Sequence, residues 1–284
     1  MIIQSLKLKN FRNYELLNLT FHPVTNIFHG DNAQGKTNIL EAVYLAGTTK
    51  SHRGTKDRDM ISFGEEESHI EVKVLKNGVP FRIDIHLKKN SPKGAAINRM
   101  PVKRASELFG IINLVFFSPE DLNIIKNGPA QRRRFMDLEL SQLDKIYLNN
   151  LADYNRVVNQ RNRLLKEMAF QEKLKDTLEI WDMQLVRYGE RVMEGRKKFL
   201  REINEIVGDI HGKLTGGRER LVMEYEPSTG ELSLEEAVRR NRERDIRMKS
   251  TSAGPHRMIS VLKLRIWISG SSDLRDSSAP RRCP

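Results

Sequence analysis

Leu6 and Leu8 alternate with Lys7 and Lys9, a period of two that puts apolar side chains on one side of an extended chain and cations on the other. The segment predicts a first strand, at a sheet edge, with one wet face. A second β-rich stretch runs from Leu16 to Phe21, and Val24 to Phe28 predicts a strand leading directly into Gly30. Ile70, Val72 and Val74 are mirrored by Phe81, Ile83, Ile85 and Leu87 about Asn77-Gly78, a pair that accepts the positive φ of a tight turn, so a hairpin is expected. The apolar run Leu114 to Phe117, closed by Ser118-Pro119, predicts a short buried strand and then a loop.

From Leu140 the period lengthens. Leu140, Leu143, Tyr147, Leu151, Tyr154, Val158, Leu165 and Met168 fall on one stripe of a long helix, interrupted by Arg161. After a polar break, Leu178, Trp181, Leu185, Tyr188, Val192, Phe199 and Ile206 mark a second helix, and the two should pair as an antiparallel hairpin. On this reading Tyr154, Trp181 and Tyr188 serve packing between the helices rather than base stacking. A strand at Leu221 to Tyr225 and an Arg-rich helix from Leu234 follow. Met258 to Pro284, rich in Ser, Arg and Pro and without clear period, predicts poor order. The expected organisation is 1–137, a lobe with the hairpin; 138–212, a helical arm; 213–257, a return to the first domain; and 258–284, an irregular tail.

Lys plus Arg number 49 against 37 Asp plus Glu, a formal charge of +12 that draws polyanions and makes nucleic acid the leading partner. The plainer alternative is a basic protein whose charge only keeps it in solution. No apolar run approaches the roughly 20 residues that span a bilayer, and the start lacks the pattern of a secretory signal, so no membrane role and a cytoplasmic site are expected. The one cysteine, Cys283, cannot form an internal disulfide, and no Cys/His set has the spacing of a zinc site. His52 and His256 have no visible ligand partners.

Gly30-Asp31-Asn32-Ala33-Gln34-Gly35-Lys36-Thr37 matches G-x-x-x-x-G-K-[ST] in full, ahead of an apolar helix expected near Asn38. In such a loop the glycines let backbone N–H groups close around phosphate oxygens, and the helix aims its positive end at them. Lys36 should reach the β- and γ-phosphates of a bound nucleotide, and Thr37 should offer its hydroxyl to Mg²⁺. Arg12 and Arg53, in flanking loops, are candidates for phosphate or ribose contacts, with a structural salt bridge as the alternative. Glu120 and Asp121 could sense the γ-phosphate or its metal, or simply form a solvated turn. Arg132, Arg133, Arg134, Arg161 and Arg163 could neutralise DNA phosphates, or lie on solvated helix faces with ordinary ion pairs.

Leu8-Lys9-Asn10-Phe11-Arg12-Asn13-Tyr14, the phosphate loop with Asn38-Ile39-Leu40-Glu41-Ala42, Ser51-His52-Arg53, Phe117-Ser118-Pro119-Glu120-Asp121-Leu122, Arg132-Arg133-Arg134-Phe135 and Gly254-Pro255-His256-Arg257 occur in an order that resembles the RecF family, in the SMC-like branch of ABC-type ATPases. The resemblance covers Met1 to Arg257. It implies an α/β P-loop ABC-type ATPase head, a mixed sheet plus helices, with an inserted antiparallel helical-hairpin arm. It further implies ATP and Mg²⁺ as cofactors, an ATP-dependent homodimer, DNA binding, and recombinase loading at gaps in repair and the SOS response with RecR and RecO type mediators. The family's signature turn and acidic strand, which should follow Arg257, are not legible, so the resemblance implies binding but not hydrolysis by these residues. Back-translating the tail and shifting it by one base permits D-D-I-S-F-E-I from Met258 and S-Q-G-Q-Q-R-T from Asp273, the family's motifs there. A one-base deletion near the codon of Arg257 is therefore expected, and an intact gene frame unlike this reconstruction would refute it. A small-molecule kinase with the arm as lid, and a purely structural coiled-coil protein, remain as competing readings.

Overall fold

The computed structural model describes residues 1–118, 129–168, 175–227, 229–257, 259–266 and 275–276. The chain divides into two compact units, Met1–Phe117 and Ser118–Pro284.

In the first unit, β1 (Ile2–Phe11), β2 (Tyr14–Thr20), β3 (Glu67–Lys76), β4 (Val79–Lys88), β5 (Gly94–Ile97) and β6 (Met100–Pro101) form a sheet in the order β2-β1-β3-β4-β5-β6, antiparallel throughout. Leu6, Leu8, Ile70, Val72, Val74, Ile83, Ile85 and Leu87 line one face. Helix α1 (Lys36–Thr48) contributes Ile39, Ala42, Leu45 and Ala46 to the same core, each large aliphatic side chain adding about 2 kcal/mol by leaving water. β1 is an interior strand, not the expected edge; β2 is the edge. An antiparallel sheet can bury one face only, so interior strands alternate just as edge strands do. The hairpin turns where it was expected: Asn77 (φ 51°) and Gly78 (φ 80°) supply two consecutive positive angles, and Lys76 pairs with Val79.

Two expected strands are absent. Val24–Phe28 and Leu114–Phe117 lie outside all strands, with Val24, Ile27, Val115 and Phe117 each at least 78% exposed. An apolar run reports a tendency to be buried, but a strand also needs a neighbour for its N–H and C=O groups, and none of the described strands pairs with either segment. Leu114 still packs against α1, where a Cβ on Gly47 would come within 2.5 Å of its side chain.

In the second unit, α2 (Pro129–Leu143), α3 (Lys145–Glu167), α4 (Lys175–Thr215) and α5 (Leu234–Met248) carry the core. The single helix expected from Leu140 is two helices. Asp144 leaves the helical conformation at φ −132°, and its carboxylate accepts from the N–H groups of Ile146 (2.7 Å) and Tyr147 (3.2 Å), capping α3, while Leu143 is 68% exposed. α3 and α4 run antiparallel, as expected: Arg161 meets Asp182, and Asn150 meets Arg191. Tyr154 is buried, and Trp181 and Tyr188 pack against the same core. Close approach depends on two glycines of α4. A Cβ on Gly195 would lie 2.7 Å from the Tyr147 ring, and one on Gly189 would lie 2.5 Å from Leu234.

The boundaries expected at 137/138 and 212/213 fall inside α2 and α4, because each helix continues across them. β7 (Glu219–Glu226), β8 (Ile259–Ile266) and β9 (Arg275–Asp276) form an antiparallel sheet in that order. The expected irregular tail thus includes a regular strand. Its alternation, Leu262-Lys263-Leu264-Arg265-Ile266, is a period of two too short to stand out against the Ser, Arg and Pro that follow.

Candidate nucleotide site and basic surfaces

The turn joining β1 to β2 supports the Gly30–Thr37 loop. Asn13 Nδ2 and Tyr14 Oη both donate to the carbonyl of Gln34 (3.2 and 3.3 Å), and Asn38 Nδ2 donates to Asn13 Oδ1 (2.8 Å). Gly35 lies at φ 94° under these groups: a Cβ there would fall 2.6 Å from Asn13 Oδ1 and 2.9 Å from Tyr14 Oη. Gly30 is at φ 137°, and Ala33 adopts φ 65° between them. Gly35 is also the residue before α1, so no side chain caps that helix and its first turn carries no carboxylate. The Asn38 N–H donates to the Gly35 carbonyl (2.7 Å), and the N–H groups of Lys36 and Thr37 and the positive end of the dipole are left to an anion. Lys36 Nζ donates to the carbonyls of Gly30 (2.8 Å) and Asp31 (2.6 Å), which holds the ammonium over the loop. Thr37 is exposed.

Beneath the loop lies Glu41, wholly buried on α1. It accepts a two-pronged contact from Arg12, Nε to Oε2 at 2.9 Å and Nη2 to Oε1 at 2.8 Å, and a hydrogen bond of 2.5 Å from Ser51 Oγ. Burial alone would raise its pKa, but the hydrogen bonds from Arg12 and Ser51 and the charges of Arg12 and Arg53 hold it below the ordinary carboxylate value. Arg12 also donates to the Asp59 carbonyl (2.9 Å) and Thr55 Oγ1 (3.1 Å), so the structure realises the salt-bridge alternative for this residue. Arg53 is looser. Its side chain is 42% exposed, 3.8 Å from Glu41 and 3.4 Å from Asn38 Oδ1, at the start of α1. Sequence reasoning missed Glu41, Asn13, Tyr14 and Asn38 as parts of the site. The available signal was a carboxylate within the apolar face Ile39, Ala42, Leu45 of a helix that begins at a phosphate loop.

His52 packs against Phe116 with the rings tilted by 39° and their centres 4.4 Å apart. His256 lies in the second unit, where Tyr154 Oη donates to Nδ1 (2.5 Å) and Nε2 donates to the Thr251 carbonyl (3.1 Å). Burial, followed by the charges of Arg257 and Arg133 against the Thr251 hydrogen bond, pushes its pKa down to about 4. Glu120, Asp121 and Cys283 lie outside the described residues.

The expected DNA contacts separate by burial. Arg161 is fully buried and ion-paired to Asp182 and Asp245, both at 2.7 Å, which removes it from any surface a phosphate could reach. A cation in the middle of an apolar stripe is the sequence signature of such an internal pair. Arg163 is exposed and pairs with Glu167 one turn on, at 2.8 Å. On α2, Arg132 and Arg133 are half-buried and Arg134 exposed. Burial first, then the charge of Arg196, lowers the pKa of Arg133. Arg196 itself, 2% exposed, was not anticipated: it grips Asp137 (2.7 Å), Tyr147 Oη (3.1 Å) and the Pro255 carbonyl (2.7 Å).

Comparison with known proteins adds the family. The AAA domain family matches residues 5–214. A protein of Agathobacter rectalis described as "DNA replication and repair protein RecF" is 61% identical over 282 residues, 98% of this chain and 78% of that protein. The protein of the same description from Clostridium perfringens is 41% identical over 262 residues, 90% of this chain and 72% of that one. Among solved structures, "the recombination mediator protein RecF-ATP in RecFOR pathway" superposes with a TM-score of 0.87 at 32% identity, covering 93% of this chain and 73% of its own.

Proposed function

The chain belongs to the RecF family of DNA replication and repair proteins, and from that premise we propose that it binds ATP with Mg²⁺ at Gly30–Thr37 and couples this binding to DNA in recombinational gap repair. One observation carries the reading: the first turn of α1 has neither a side-chain cap nor a carboxylate, behind a loop whose Gly35, at φ 94°, has the Asn13 and Tyr14 side chains where a Cβ would stand. A triphosphate fits that cradle. The loop amides and Lys36 would hold its phosphate oxygens, and the Thr37 hydroxyl would hold the metal. When bound, Mg–ATP supplies a cleavable phosphoanhydride and a concentrated negative charge. Asn13, Tyr14 and Asn38 keep the loop in shape, and Arg53, held only by long contacts, can turn towards that charge. Arg12 positions the surrounding loops through Glu41. We assign these residues binding and orientation, not turnover.

In the same reading ATP joins two copies of the chain, the assembly holds DNA, and RecR and RecO type mediators act beside it in recombinase loading. The RecF-ATP relative and the positive charge support it. The test is DNA binding with and without ATP and Mg²⁺ at two salt concentrations, for the chain and for Lys36→Ala. ATP should tighten binding, and Lys36→Ala should abolish the gain while leaving ATP-independent binding in place. Equal binding under all conditions would defeat the proposal.

A further inference from the structure

Helix α5 carries five arginines. Arg242 is committed to Asp182 at 3.0 Å, and Arg239 lies near Glu236, whose carboxylate is held by Ser233 at the helix start. Arg240, Arg244 and Arg247 are exposed, and among the described residues none forms an ion pair or a side-chain hydrogen bond. Their i, i+4, i+7 spacing keeps them within a stripe roughly 60° wide and about 10 Å long. The stripe turns away from Leu234, Val238 and Asp245, three of the residues α5 buries. Guanidinium groups one turn apart repel one another, and the interspersed acid Glu243 is outnumbered, so the stripe favours a polyanion laid along it.

We propose that this stripe docks on the phosphodiester backbone of duplex DNA. The proposal rests on the reading that the chain binds DNA, and adds where. Each strand of a duplex carries about one negative charge per 3.4 Å of axis, so a stripe of this length spans about three on the strand beside it, and a guanidinium takes two phosphate oxygens at once. α5 has no aromatic residue, and so lacks the stacking platform with which proteins hold unpaired bases. A rigid row of cations suits a rigid row of phosphates, and fixes position without reading sequence.

The test compares the chain with the triple variant Arg240→Gln, Arg244→Gln, Arg247→Gln. A control of equal charge loss, Arg156→Gln, Lys89→Gln, Lys198→Gln, removes surface cations that already have carboxylate partners. Duplex binding is measured across a salt series, with single-stranded DNA and poly-glutamate as further ligands and circular dichroism to verify folding. The α5 variant should lose about 10-fold or more in duplex affinity at low salt, and its log K against log salt slope should shrink by about 2 to 3, nearly one unit per lost phosphate contact. The control should stay within about 3-fold. An unchanged slope, an equal fall in the control, or a fall confined to single strands or poly-glutamate would overturn the proposal. Normal duplex binding by the α5 variant defeats this proposal alone, whereas no DNA binding by the unsubstituted chain defeats the underlying reading with it.

Discussion

Glu41 shows how one side chain can fix several loops. Its carboxylate collects Arg12 from the turn between β1 and β2 and Ser51 and Arg53 from the segment after α1, and it does so without exposure to water. Taking one partner from a buried ion pair strands the other, at a cost several times that of a surface pair. Glu41→Ala should therefore destabilise the first unit by about 3 kcal/mol, read as earlier loss of amide protection in β1 and β3 on urea titration. A loss below about 1 kcal/mol would show that Arg12 finds another partner. The pKa direction of Glu41 agrees, since a carboxyl held below its ordinary value stabilises the fold in its charged form.

Among elements, what the sequence made legible followed from how local the cause is. Asn77 and Gly78 carry their turn within two residues, and the α3 and α4 stripes repeat often enough to survive one interruption. The break at Asp144 was hidden because Leu140, Leu143 and Tyr147 keep helical spacing across it, and a cap reveals itself only through backbone angles. The missing strands at Val24–Phe28 and Leu114–Phe117 failed for the opposite reason: their pairing depends on other strands, which an apolar run does not identify. In the site, the phosphate loop was legible as a motif, whereas Asn13, Tyr14 and Glu41 act through positions that spacing along the chain does not reveal. Glycine substitution in α4 gives a test at this scale. Gly→Ala in a helix ordinarily gains about 1 kcal/mol, but at Gly195 the new methyl meets the Tyr147 ring. Gly195→Ala should destabilise the second unit by about 1 to 3 kcal/mol in chemical denaturation, and stabilisation there would show that Tyr147 moves aside freely.

At the scale of the whole molecule, the two units should answer acid differently. His256, with its folded pKa pushed down to about 4, binds fewer protons folded than unfolded between that value and the ordinary 6.5. Its contribution is therefore complete above pH 6.5 and is lost as pH falls towards 4, on the order of 3 kcal/mol in the second unit. Glu41 and Asp84, both held below their ordinary values, keep their contribution to the first unit until pH falls below about 4.5. Trp181 packs against the core of the second unit, so in a Trp267→Phe background tryptophan fluorescence reports that unit, and amide exchange in β1–β4 reports the first. Acid titration should move the fluorescence first, and His256→Gln should flatten that early phase. Simultaneous transitions would contradict the assignment.

The two buried arginines have a kinetic consequence. Arg161 fastens α3 to α4, to Asp245 of α5 and to Thr251, while Arg196 fastens α4 to Asp137 of α2, Tyr147 of α3 and the Pro255 carbonyl. No one of these segments can leave without stranding a charge that the others surround. They should therefore breathe as a single cooperative body: in native-state hydrogen exchange, amides in the middles of α2, α3 and α4 should share one opening free energy and one denaturant dependence, although the residues responsible are spread from 137 to 255 along the chain.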